Sequence, residues 1–111
     1  MHEQILQWLR LQPGWEQTDL DALGITGLFP LGLQILQRKT DILGGEKCRY
    51  RAEYDLFAQG YGDPPALPSL KGLPALGQDQ QAQLRLGHLQ RTAPDGLRRW
   101  QIKLRIEYTS N

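Results

Sequence analysis

The chain has 111 residues, enough for one core and too few for two. Hydrophobic residues make up 40% and charged residues 23%, the balance of a folded domain and not of a disordered one. A net charge of +1 excludes a binder that attracts nucleic acid by its overall field, so any electrostatic role belongs to a local patch.

Residues 2–14, "HEQILQWLRLQPG", predict a short amphipathic helix. Ile5, Trp8 and Leu9 fall at helical spacing with Leu6 beside them, and Pro13-Gly14 stops it. "TDLDALG" (18–24) predicts one further turn, capped by Thr18 and ended by Gly24. "ITGLFPLG" (25–32) is apolar but broken by glycine and proline, and reads as loop.

"LQILQRKT" (33–40) predicts a strand, and "DILGGE" (41–46) turns it back, with Gly44-Gly45 supplying positive φ. The next stretch alternates: Cys48, Tyr50, Ala52, Tyr54 and Leu56 on one side, Lys47, Arg49, Arg51, Glu53 and Asp55 on the other. A second hairpin follows. "QAQLRLGHLQRT" (81–92) sets Ala82, Leu84, Leu86 and His88 on one side, and "APDG" (93–96) is a turn. "LRRWQIKLRIEYT" (97–109) places Trp100, Ile102, Leu104, Ile106 and Tyr108 inward, with Arg99, Gln101, Lys103, Arg105 and Glu107 outward.

The sum is a single α+β domain over residues 1–111: an N-terminal helix on an antiparallel sheet of about four strands in two hairpins. Between the hairpins, residues 59–80 hold four glycines and four prolines, so neither helix nor central strand runs through them. A connection of this length is unusual in so small a domain. Its Leu67, Leu70, Leu73 and Leu76 need apolar cover, which predicts an interaction arm over about 60–80 that a neighbouring subunit could cover.

The chemistry is sparse. Two histidines and one cysteine fall short of the roughly four clustered ligands of a zinc site. Cys48 sits on the core face as a small hydrophobe, and no glycine-rich loop opens a helix to cradle phosphate. Glu53 and Asp55 share a strand face, as paired carboxylates would, but the arginines beside them favour cross-strand ion pairs. An enzyme is not expected, and no cofactor or metal is implied. No apolar run reaches the ~18 residues of a membrane span. "MHEQILQWLRLQPG" lacks the pattern of a secretory signal, and a lone cysteine fits a reducing cytoplasm. What remains is the charged sheet face carrying Arg49, Arg51, Glu53, Asp55, Arg99, Lys103 and Arg105: a solvated surface, a subunit seam or a contact for a polyanion.

The order of features resembles the small minor capsid or tail-terminator (tail-completion) proteins of long-tailed bacteriophages and prophages. The resemblance rests on the N-terminal helix, the strand–turn–strand "DILGGEKCRYRAEYDLF", the "LPALG" before the second hairpin and the closing strand "RRWQIKLRIEY". Members of that family usually carry one or two helices before "LPxLG", where this chain has only its Pro/Gly-rich residues 60–72. The resemblance implies a structural virion protein of the tail or neck, made in the host cytoplasm. It would form a hexameric ring that caps the tail tube, meets the head connector and surrounds a lumen through which DNA leaves. A small cytoplasmic binding adaptor, or a nucleic-acid-binding module using the basic sheet face, is the alternative.

Overall fold

The computed structural model describes residues 1–20, 26–61, 66–91, 96 and 98–111, with side chains for all of these except 88–91. A helix α1 (His2–Arg10) precedes β1 (Asp19–Leu20), β2 (Thr26–Thr40), β3 (Glu46–Gly60), β4 (Gln78–Arg91) and β5 (Arg98–Ser110). The strands form one mixed sheet in the order β1-β2-β3-β5-β4. The α+β class holds, with five strands in place of the expected four.

Each difference has a local cause. Residues 26–32, expected as loop, are the first half of β2. Gly27 is required there because a Cβ would collide with the Phe57 and Phe29 rings, and Pro30 to Gly32 are absorbed by a bulge at Leu31. The helical turn expected at 18–24 begins instead as β1, which pairs in parallel with Gly27 and Leu28. The buried hydroxyl of Thr18 donates backward to the Trp15 carbonyl at 2.6 Å. The rest of that prediction, 21–24, lies outside the described residues, as do residue 25 of the expected loop and most of the "APDG" turn.

The β2–β3 turn is built by Asp41 more than by the glycine pair. Its Oδ1 accepts from the amides of Leu43 and Gly45 at 2.9 and 2.7 Å, and only Gly44 takes a left-handed conformation, φ +83°. The Gly44 amide donates to the Asp41 carbonyl at 3.1 Å, closing a tight turn in which Gly44 supplies the left-handed residue.

The core sits between α1 and the even-numbered side of β3 and β5. Ile5, Leu6, Trp8 and Leu9 of the helix join Ala52, Tyr54, Leu56, Ala58, Trp100, Ile102, Leu104, Ile106 and Tyr108 in one buried cluster with Trp15 and Leu28. The β3–β5 register, unbroken from Cys48↔Ser110 to Gly60↔Arg98, lays these rows side by side. The strands are long, and the molecule measures 62 × 22 × 20 Å. Arg10 fastens the end of the helix to the start of β1, donating to the Thr18 carbonyl at 2.8 Å and pairing with Asp19 at 3.2 Å.

Ile102→Asp is expected to abolish soluble expression, because a buried unpaired charge costs several kcal/mol against a marginal total. Ile106→Val should fold and lose about 1 kcal/mol in urea denaturation. A soluble, cooperatively folding Ile102→Asp protein would show that this row does not face the helix.

Candidate functional site

The connection between the hairpins is not a free arm. From residue 66 onward it lies on its own domain. The indole N–H of Trp15 donates to the Ala66 carbonyl at 3.0 Å, that of Trp8 to the Lys71 carbonyl at 3.3 Å, and the Ser69 amide to Gln12 Oε1 at 3.0 Å. Buried indoles need acceptors, and irregular backbone has unpaired carbonyls to offer. Leu73 and Leu76 pack against the core, and Pro68 is buried; Leu67 and Leu70 stay exposed. Gly77 ends the "LPALG" stretch where a Cβ would collide with the Thr109 carbonyl, so only glycine lets the chain enter β4 there. Residues 62–65 of the expected arm lie outside the described residues.

The polar face of the sheet is partly self-satisfied. Arg51 directs Nε and Nη2 onto Glu107 Oε1 at 3.0 and 2.8 Å, across β3 and β5. Both side chains are largely covered, 28% and 20% exposed. This pair lies within one chain, so neither residue is left for a neighbour. Arg49 donates to the Asp79 carbonyl and to Thr109 Oγ1. Arg99 donates to Gln59 and lies over the Phe57 ring, 5.5 Å from its centre. Asp55 accepts from Gln101 at 3.0 Å with Oδ2, while its buried Oδ1 has no partner among the described residues.

The cross-strand ion pairs expected for Glu53 and Asp55 do not form. Glu53 stands opposite Arg105 and Asp55 opposite Lys103 in register, but among the described residues neither pair closes to salt-bridge distance. Lys103 and Arg105 therefore have no ion-pair partner among the described residues, and β4 adds Arg85 directly opposite Lys103. A shallow cleft between Gln83, Arg85, Lys103, Arg105 and Glu53 marks the spot. Arg85 was legible as an outward residue of its strand, but the strand order that seats it beside Lys103 was not.

A second feature went unread in the sequence. β1 covers the outer edge of β2 only at Gly27 and Leu28. Beyond that, among the described residues, nothing pairs with the edge, and Leu31, Leu33, Ile35 and Leu36 are 40–53% exposed. Leu33 and Ile35 lie opposite Ala52 and Tyr50, on the core face, and stay about half exposed, with Leu33 lining an open cavity beside Met1 and Gln4 of the helix end. Ile42 and Leu43 at the turn are fully bare. β4 forms the other outer edge.

Chemically reactive groups are few. Cys48 is buried, as expected of a core-face residue. Among the described residues, no group of three or more His, Cys, Asp or Glu side chains could hold a metal ion, and no helix is long and apolar enough to cross a membrane. Tyr54 is buried 2.8 Å from His2 Nδ1, and burial, with help from nearby Tyr108, pushes its hydroxyl up to about 12. No protein-family model, curated protein or solved structure matches this chain.

Arg51→Ala should lower stability by about 1–2 kcal/mol, and a double-mutant cycle with Glu107→Ala should return most of that as coupling. Tyr54 predicts an alkaline limit. The folded state holds its proton more tightly than the unfolded chain, so its contribution is complete below pH 10 and lost as pH rises through about 12. Tyr54→Phe should therefore be less stable at neutral pH but show a shallower loss of stability in urea titrations from pH 10 to 12.

Proposed function

We propose that this protein is an assembly subunit of a long-tailed phage particle, a tail terminator that closes into a hexameric ring. The ring caps the tail tube, stops its growth and offers a surface to the head connector. The observation that carries this reading is the pair of open sheet edges, one of them apolar. A long exposed edge with four large aliphatic side chains is a template for strand addition, and folded proteins cover such edges. A second copy is the cover that the chain itself can supply.

The two edges are unlike, which favours a head-to-tail contact over a two-fold one. β2 offers leucine and isoleucine and ends in Arg38-Lys39; β4 begins with Gln78-Asp79 and is rich in glutamine. The strand order makes β2 of one copy antiparallel to β4 of the next. Through the ladder, Gln37 stands level with Arg49, Thr109 and Gln78 of its own chain. In an unstaggered ring Gln37 thus meets Gln78, and Leu33 meets the level of Ala82. The seam lies at the edges in this reading, since Arg51 and Glu107 of the charged face already hold each other. Leu67 and Leu70, exposed on the connecting segment, remain candidates for contact with the tail-tube or connector protein.

Leu33→Lys/Ile35→Lys should give a folded monomer, because edge lysines block strand addition without touching the core. Wild-type protein should sediment as a closed oligomer, alone or with a tail-tube protein, and the variant should not. A wild-type chain that stays monomeric at its highest soluble concentration, and leaves tube growth unchanged, would overturn the proposal.

A further inference from the structure

The polar face of the sheet carries two places where like charges stand directly opposite each other. Lys39 of β2 faces Lys47 of β3, and Arg85 of β4 faces Lys103 of β5. Directly opposed residues hold their Cβ atoms roughly 4.5–5.5 Å apart, and like charges in that relation are unfavourable. Among the described residues, none of the four has a salt-bridge partner, and all four are exposed. Arg105, on the same face beside Lys103, is likewise uncompensated despite Glu53 opposite.

The surrounding acids do not rescue these pairs. Glu107 is committed to Arg51, Asp55 to Gln101, and Asp41 turns Oδ1 onto the amides of its own turn. Among the described residues of β3, β4 and β5, the outward cations Lys47, Arg49, Arg51, Arg85, Arg99, Lys103 and Arg105 outnumber the acids Glu53, Asp55, Asp79 and Glu107, although Asp79 and Asp41 share the cavity lined by Lys39 and Lys47. The near-neutral balance of the whole chain hides this local excess.

We propose that this face is a track for the phosphate backbone of duplex DNA, with Lys39/Lys47 and Arg85/Lys103 as its two contact points and Arg105 beside the second. Lys47 and Asp55, the residue opposite Lys103, are eight positions apart on β3, so the contact points are separated by about 27 Å along the strand direction at ~3.4 Å per residue. Duplex DNA presents one phosphate charge per ~1.7 Å of axis, so a segment of that length can serve both points at once. A duplex fits better than a single strand, which needs aromatic rings for its bases to stack on. The rings on this face, Phe29 and Phe57, pack on each other, and Arg99 covers Phe57. Contacts of this kind position a backbone and read no sequence. The inference stands on the charge geometry of one chain and does not rest on ring formation.

The test is fluorescence anisotropy with duplexes of two unrelated sequences, titrated between 50 and 200 mM salt. The wild type should bind both equally, with a steep salt slope. Arg85→Gln/Lys103→Gln and Lys39→Gln/Lys47→Gln should each weaken binding at least tenfold at low salt. Each should also flatten the slope by about 1.8, the value for two phosphate contacts. Both variants should melt no lower than wild type, because each relieves a like-charge pair. Lys71→Gln, on the connecting segment and away from the strands, should bind as wild type. Absence of duplex binding at low salt, or an unchanged slope in both double variants, would overturn the proposal. Equal affinity for a poly-glutamate chain would overturn the assignment to DNA. Sedimentation of the same samples reports ring formation separately, so either idea can fail alone.

Discussion

Everything in this structure depends on the pairing of β3 with β5. Among the described residues it is the one ladder flanked on both sides by a long strand, and it runs without a bulge from Cys48 to Gly60. Its even-numbered row is the floor on which α1 lies, and the helix is too short to be stable by itself. At nine residues, α1 persists because Ile5, Leu6, Trp8 and Leu9 are buried against that floor. The two tryptophans then recruit the connecting segment by their indole N–H groups, so a stretch with no regular structure is held by side chains of the helix and the loop after it. Core, helix and connection are one cooperative unit built outward from two strands.

The same dependence explains where the structure stops protecting itself. One helix of this length can roof the central strands and the start of β2, but the sheet extends well beyond it. Leu33 and Ile35 therefore carry core character on a stretch that stays half exposed and has, among the described residues, no outer neighbour at its level. The bulges at Leu31 and Leu36 interrupt that edge, and Pro30 removes a donor from it, which limits indiscriminate pairing while leaving the edge usable.

The alternation in residues 48–56 and 97–109 made β3 and β5, their core row and the helix stripe legible from the sequence. Both strands are half-buried, and period two is the direct image of that condition. β2 was legible only from residue 33, because glycine and proline at 27, 30 and 32 mimic a loop; contact with Phe57 and a bulge accommodate them. β1 has two residues and no pattern to read. The connecting leucines looked orphaned because the acceptor geometry of Trp8 and Trp15 is a tertiary fact. The charged face was seen as a mixture of signs along strands. Its segregation appears only when strand order and hydrogen bonding show which acids are already occupied, and neither is written in a one-dimensional pattern.

The uncompensated cations are locked in place by the core. Lys103 faces Arg85 because Leu104, its neighbour in the chain, must face Leu84 and the helix side. Sliding β4 by one residue to separate the charges would turn Ala82 and Leu84 outward and bring glutamines into the apolar layer. Lys39 and Lys47 are fixed in the same way, by the Asp41 turn that sets the β2–β3 register. Register cannot relieve either pair. Only substitution, dissolved counterions or an anionic partner can, and of these an anionic partner alone gives the repulsion a use.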